Sequence, residues 1–415
     1  MAAFCIAVVP LPRNSLNAFP ARRQKQNIFP LNHISIMSHM LELHCFPRHL
    51  EQNSVIEEAV MFESLGFETY TAPQVVVFFA LIVGAVFGLL AERTKFCFRR
   101  SLVGEDRRAA AGVWLLALAT ALVGTQAAVA LEFISFDDHR FMNADVPWLA
   151  ITAGGLLFGA GMVLTRGCVS RLTVLTASGN LRALTVLLVF AITAHATLKG
   201  VLAPLRTTLG SVTLPLESVA LPGPALGWAA AVALMAGLFA LRSGNRIGTL
   251  ALAAALGLLV PVAWVGTGFV LYDDFDPIAM ESLSFTAPAA DTLFWSIAST
   301  SIPAGYGAGL IGGVLGGAAL SAIAFRSFEW VSFSSPRETG RYAAGAVLMG
   351  VGGVLAGGCT VGAGLAGVPT LSVAAVMAIA AIATGALVTN ALLGATPRSP
   401  AAGEWPTTPA QQPAE

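Results

Sequence analysis

Nine apolar runs, most close to twenty residues long, divide this chain between residues 73 and 393. They fall at about 73–91, 109–131, 147–165, 183–203, 222–241, 247–271, 303–325, 342–358 and 371–393. A helix needs about 20 apolar residues to cross a bilayer, and within the hydrocarbon every backbone amide must find its partner inside the protein. The runs therefore predict an all-α polytopic membrane protein with about nine transmembrane helices. Only 11% of the residues are charged and 56% are hydrophobic, whereas a soluble domain carries roughly a quarter charged residues. The 42 glycines suit helices that approach closely in lipid, where small residues stand in for a hydrophobic drive.

The formal net charge is zero, so the placement of charge carries the information. The first loop holds Arg93, Lys95, Arg99, Arg100, Arg107 and Arg108. The second is acidic, with Glu132, Asp137, Asp138 and Asp145 against Arg140. Arg166, Arg171 and Arg182 follow the third run, and Arg242 and Arg246 follow the fifth. Asp273, Asp274, Asp276 and Glu281 follow the sixth, and Arg326, Arg337 and Arg341 the seventh. Basic loops stay cytoplasmic, which predicts an N-terminus outside and a C-terminus inside. No nucleic-acid partner is expected.

Within these runs one motif, GxGxxxxxGC, occurs twice. It reads Gly159, Gly161, Gly167, Cys168 and then Gly350, Gly352, Gly358, Cys359, at a constant offset of 191 residues. Between 154 and 168, eight of fifteen positions match their counterparts at 345–359. The third run points inward and the eighth outward, so the copies are inverted. Repeat one spans about 73–203, a connector helix about 222–241, and repeat two about 247–393. Inverted repeats of this kind place a substrate path near the midplane.

Cys97, Cys168 and Cys359 each fall just past an apolar run, in segments 92–102, 165–179 and 356–369. These segments are too short and too broken to span, and read as re-entrant half-helices. A fourth, 291–305, takes the place equivalent to that of Cys97 but has no cysteine. A lone membrane cysteine is ordinarily a small buried hydrophobe. A duplicated pair, with a third in a comparable segment, points further. A thiol is a weak donor and a soft, polarizable acceptor. In series, thiols can hand a sulfur-bearing anion along without trapping it. A half-helix N-terminus behind a Gly-Cys turn adds partial positive charge and free N–H groups. The candidate substrate-binding residues are therefore Cys97, Cys168, Cys359, Gly167, Gly358, Lys95 and Arg166, with Arg99, Arg100 and Arg171 adding attraction at the mouths. His195 and Lys199 lie at i and i+4 near the outer end of the fourth run. Lys199 is expected to snorkel, and His195 is a weak candidate for proton coupling.

Residues 1–60 mix Pro, Arg and His without an apolar core, so a signal peptide is not expected there. They read as a disordered extension or as untranslated, with Met61 the natural start. His33, His39, His44, Cys45 and His49 there lack metal-ligand spacing. The tail, 396–415, reads as disordered. No nucleotide-binding GxxxxGK[ST] motif appears, so direct ATP use is not expected, nor are an enzyme activity, a cofactor or a metal.

At Arg93–Phe98, Gly159–Cys168, Gly345–Gly364 and Arg326–Trp330 the sequence resembles the YeeE/YedE family of bacterial membrane proteins, the sulfur-transport or thiosulfate-permease family. The resemblance covers most of residues 70–395. It implies uptake of thiosulfate across the inner membrane, re-entrant segments entering from both sides, and a relay of three cysteines at Cys97, Cys168 and Cys359. It also implies a cytosolic TusA-like or rhodanese-like sulfur carrier as partner. A competing class is a membrane thiol protein that forms covalent persulfide adducts in sulfur or selenium trafficking.

Overall fold

The computed structural model describes residues 70–137, 139–216, 219–221, 223–273 and 275–395. The expected extension at 1–60 and the tail at 396–415 lie outside the described residues. Thirteen α-helices follow in order: α1 (Ala72–Thr94), α2 (Phe98–Val103), α3 (Arg107–Ala130), α4 (Trp148–Leu164), α5 (Val169–Ala177), α6 (Leu181–Lys199), α7 (Ala203–Gly210), α8 (Ala225–Leu241), α9 (Ile247–Val265), α10 (Thr286–Ala298), α11 (Tyr306–Ala324), α12 (Pro336–Leu355) and α13 (Val373–Ala395). Two π-helical segments, Gly266–Val270 and Thr360–Gly367, extend α9 and follow α12. One two-stranded ribbon pairs Asp145–Val146 with Leu214–Pro215.

Eight of the described helical stretches are long and apolar enough to cross a membrane, so the protein is a multi-pass membrane protein. The ninth expected span, α8, has 17 residues. At 1.5 Å per residue that is about 25 Å, just under the hydrocarbon thickness of about 30 Å. Pro224 before it and Arg242 after it set the shorter length. Local capping signals start other helices. Asn180 accepts the Ala183 N–H at 3.1 Å at the head of α6. Ser335 accepts the Glu338 N–H at 3.3 Å at the head of α12, with Pro336 in the first turn.

The glycines reveal the relation between the repeats. A methyl group on Gly84 would strike Leu310 and Val314, and one on Gly88 would strike Val314 and Ala318. Both numbers rise together, so α1 and α11 run parallel. Gly257 abuts Ala117 and Gly124 abuts Pro261, so α3 and α9 are also parallel. By contrast Gly154 meets Gly352 and Ala356, while Gly161 meets Gly345 and Met349. Here one number rises as the other falls, and α4 and α12 run antiparallel. Exchanging the repeats maps α1 onto α9, α3 onto α11, α4 onto α12 and α6 onto α13. The α1–α11 pair then becomes α9–α3, and α4–α13 becomes α12–α6; all four pairs are packed. The α4–α12 pair maps onto itself. An antiparallel pair that maps onto itself requires a pseudo-two-fold axis across the helices, the signature of inverted repeats. The duplicated glycines are its seam: Gly154 and Gly161 of one copy touch the images of each other in the second.

The fourth re-entrant element differs from expectation. It is α10, which begins after Phe285 and not near residue 291. Pro288 lies in its first turn, where a missing N–H does no harm. Phe285, at the N-cap, is therefore the counterpart of Cys97, at the N-cap of α2.

Candidate functional site

Each cysteine stands at the same place in the same local structure. A helix ends; one residue adopts the left-handed conformation; two residues later comes the cysteine, as N-cap of a short helical segment. The left-handed residues are Lys95 (φ 50°), Arg166 (φ 58°) and Gly357 (φ 74°). Cys97 caps α2, Cys168 caps α5, and Cys359 caps the π segment Thr360–Gly367. At the first two turns the following amide reaches five residues back, Phe96 N–H to the Ala91 carbonyl and Gly167 N–H to the Met162 carbonyl, both at 3.1 Å. That closure reverses the chain without a long loop. Gly358 is required by packing, since a β-carbon there would lie 2.9 Å from the Ala363 amide nitrogen. At Gly167 the nearest neighbour is the flexible Leu172 side chain at 3.1 Å.

The three thiols are free and buried. Cys97 Sγ and Cys168 Sγ are 3.9 Å apart. Cys168 Sγ also lies 3.3 Å from Ser170 Oγ, and Thr360, the residue after Cys359, interacts with it as well. The Gly362 N–H donates to Cys359 Sγ at 3.4 Å, and the Phe285 backbone also faces this thiol. The four N-caps, three cysteines and Phe285, thus gather in the centre of the protein. Phe87 seals them from one side, its ring 5.3 Å from Phe285 and 6.3 Å from Phe96. Trp114 stands beside the cluster, its ring 4.7 Å from that of Phe98 and its edge against Gly364. Its buried Nε1–H, like the Thr286 hydroxyl in the first turn of α10, has no partner among the described residues.

A cavity of about 1330 Å³ opens on one side of this cluster. It is lined by the loops after α3 and α9 and reaches Ser284, Gly362 and Ala366, next to Cys359. Arg140 stands on its wall, crowded by protein yet open to the cavity's water, within electrostatic reach of Cys359 and Glu281. Burial pushes the Arg140 guanidinium down from its ordinary value, with Glu281 and Cys359 opposing. Burial raises the Glu281 carboxyl, Asp291 adds to this, and Arg140 opposes it. His139 is pushed down to about 4 by burial and by Arg140. No ion pair joins Arg140 to Glu281 among the described residues, and both line the cavity. Lys199 also lines this cavity, while His195 stacks on Phe294 at 4.6 Å.

Lys95 and Arg166 are exposed, at the turns leading to Cys97 and Cys168. They do not line this cavity, and Arg166 is in electrostatic reach of Arg99. The sequence shows Arg140 only as a lone cation in an acidic loop and does not single out Trp114. Nothing in their neighbours marks either one; the tertiary fold brings them beside the cysteine cluster.

Comparison with known proteins agrees with this architecture. The sulphur transport family model matches residues 93–251 and again 228–388. The chain belongs to the sulphur transport family. It is also similar to the thiosulfate transporter TsuA of Escherichia coli (strain K12), 25% identical over 309 residues, covering 67% of this chain and 83% of the relative.

Proposed function

We propose that this protein is a permease of the bacterial inner membrane that takes up thiosulfate or a closely related sulfur anion. In this reading the N-terminus lies outside and the C-terminus in the cytoplasm. The ion collects in the large cavity beside Arg140, passes Cys359, then Cys168, then Cys97, and leaves past the basic inner mouth, where a TusA-like or rhodanese-like carrier receives it. The observation that carries the reading is the convergence of three capping thiols next to one deep cavity, with Cys97 and Cys168 in sulfur–sulfur contact at 3.9 Å. A neutral thiol does not repel an anion, and each S–H···S contact is weak enough to release it. Helix N-termini and the orphan Trp114 N–H offset the ion's charge where water is excluded. The similarity to a thiosulfate transporter supports the choice of cargo.

The test is uptake of labelled thiosulfate into proteoliposomes, with sulfate and selenite as competitors. Uptake is expected in the parent protein, with thiosulfate preferred, and none above empty liposomes in Cys168→Ala or Cys359→Ala. Normal uptake by either variant sinks the relay. Mass spectrometry of the parent after incubation with thiosulfate separates the covalent alternative: a persulfide adduct on Cys168 or Cys359 favours it, and unmodified cysteines favour transient contacts.

A further inference from the structure

Three acids near the inner mouth are already engaged. Arg100 pairs with Asp106, and Arg182 pairs with Glu338. Glu92 accepts hydrogen bonds from Ser321 and Ser327, both at 2.8 Å, and lies within electrostatic reach of Arg171 without pairing with it. Three other arginines there make no hydrogen bond or ion pair among the described residues, although each has an N–H shut away from water: Arg99 through Nε, Arg171 through Nη1 and Arg341 through Nε. They come from three separate elements, α2, α5 and α12. Arg99 and Arg171 both lie within electrostatic reach of Cys97, and Arg99 also of Arg341 and Arg166. A buried charged donor without an acceptor is among the more expensive features a fold can hold. Arg99 links the other two, sharing Cys97 with Arg171 and repelling Arg341, and three such donors around one thiol describe a site built for an anion with several acceptor oxygens.

We infer that Arg99, Arg171 and Arg341 form an inner oxoanion site, separate from the thiols, that takes a tetrahedral divalent anion of the sulfate or thiosulfate class. The site rests on the transport reading for its cargo but not for its chemistry. Guanidinium groups recognise oxygens, so this site accepts sulfate as well as thiosulfate, while discrimination by sulfur belongs to the cysteines. It draws the ion off the Cys97–Cys168 pair and holds it at the exit. Bound anion would also impede the next ion, so cytoplasmic sulfate slows uptake.

The experiment is arginine footprinting with phenylglyoxal on the full chain in nanodiscs of phosphatidylcholine alone, read by mass spectrometry. Sulfate or thiosulfate is expected to protect Arg99, Arg171 and Arg341 about tenfold, the scale of one charge-assisted contact, while chloride at equal ionic strength does not. Protection is expected to persist in Cys168→Ala, and the remaining pair is expected to lose it in Arg171→Gln. Equal protection of Arg107 and Arg108, or none at the three arginines, overturns the site. Repeating the assay in nanodiscs with anionic lipid and no added anion tests the other source of phosphate-like oxygens; protection arising only there overturns a soluble ligand. Because the readout is labelling and not uptake, protection without thiosulfate transport would leave the site standing and remove the permease reading. Thiosulfate transport without protection would do the reverse.

Discussion

Repeat one and repeat two carry the same scaffold and differ where the chemistry lies. Under the pseudo-two-fold, Cys168 matches Cys359, but Cys97 matches Phe285. One side of the axis has two thiols in contact; the other has one thiol and a fully buried aromatic ring. The mouths differ likewise. The loops after α3 and α9 enclose a wide cavity holding both Arg140 and Glu281, whereas at the opposite mouth Arg99, Arg171 and Arg341 each bury an N–H without a partner among the described residues. In the proposed permease, the symmetric scaffold supplies the path through the bilayer, and departures from symmetry give that path a direction. The glycine seam between α4 and α12 holds the scaffold; the non-matching positions set what it does.

The largest effect is expected at the centre of the comparison. Cys168→Ala lowers thiosulfate uptake by at least about a hundredfold, the scale of losing a positioned group on which a process depends. Folding is little affected, because Cys to Ala removes one sulfur atom. Phe285→Ala reverses the balance. Removing a buried aromatic ring costs about 3–5 kcal/mol, so the thermal midpoint falls sharply, measured by intrinsic fluorescence in detergent. Should Phe285→Ala leave stability intact and abolish uptake, the ring is part of the conduit and not its brace. Cys97→Ala is expected to impair uptake without either a stability loss or complete silence.

Arg140 comes next. Arg140→Gln is expected to raise the KM for thiosulfate about tenfold, the loss of one charge-assisted contact, with a smaller change in maximal rate. Glu281 sets how that capture responds to pH. Its pKa is raised by burial and by Asp291, so it gains a proton above the usual carboxylate range as the pH falls. The neutral acid no longer repels the incoming anion, so uptake rises with acidification through that window, with equal pH on both faces. Glu281→Gln holds uptake at the acid-side level and flattens the profile. His139, held at about 4, stays neutral in that window, so His139→Asn leaves the profile in place. A profile unchanged in Glu281→Gln assigns the titration elsewhere.

Much of this scaffold is legible in the sequence, because a bilayer demands long apolar runs and because the repeat is written in glycine and cysteine. The half-helices were readable since Gly167-Cys168 and Gly358-Cys359 interrupt apolar runs too soon. The start of α10 was not, because Asp291 looks like a helix boundary while the helix begins before it, at Thr286. Arg140 was illegible for a different reason: nothing local to the 132–146 loop says that it folds back over the path. Residues whose role depends on neighbours far along the chain leave no periodic trace.

The smallest effect tests whether an equivalent position in the two repeats does equivalent work. Arg166 and Gly357 both take the left-handed conformation two residues before their cysteines, at φ 58° and 74°. For Arg166 the β-carbon strains that conformation by about 1 kcal/mol, a strain glycine does not have. Arg166→Gly copies the solution of repeat two into repeat one. Stability is then expected to rise by up to about 1 kcal/mol, less what the unfolded chain gains in freedom. The lost charge is exposed, so uptake is expected to fall by less than about twofold and to recover in high salt, where such charges are screened. A salt-insensitive drop of about tenfold would instead make Arg166 a direct ligand of the ion, and the strained backbone would then be the means of aiming it.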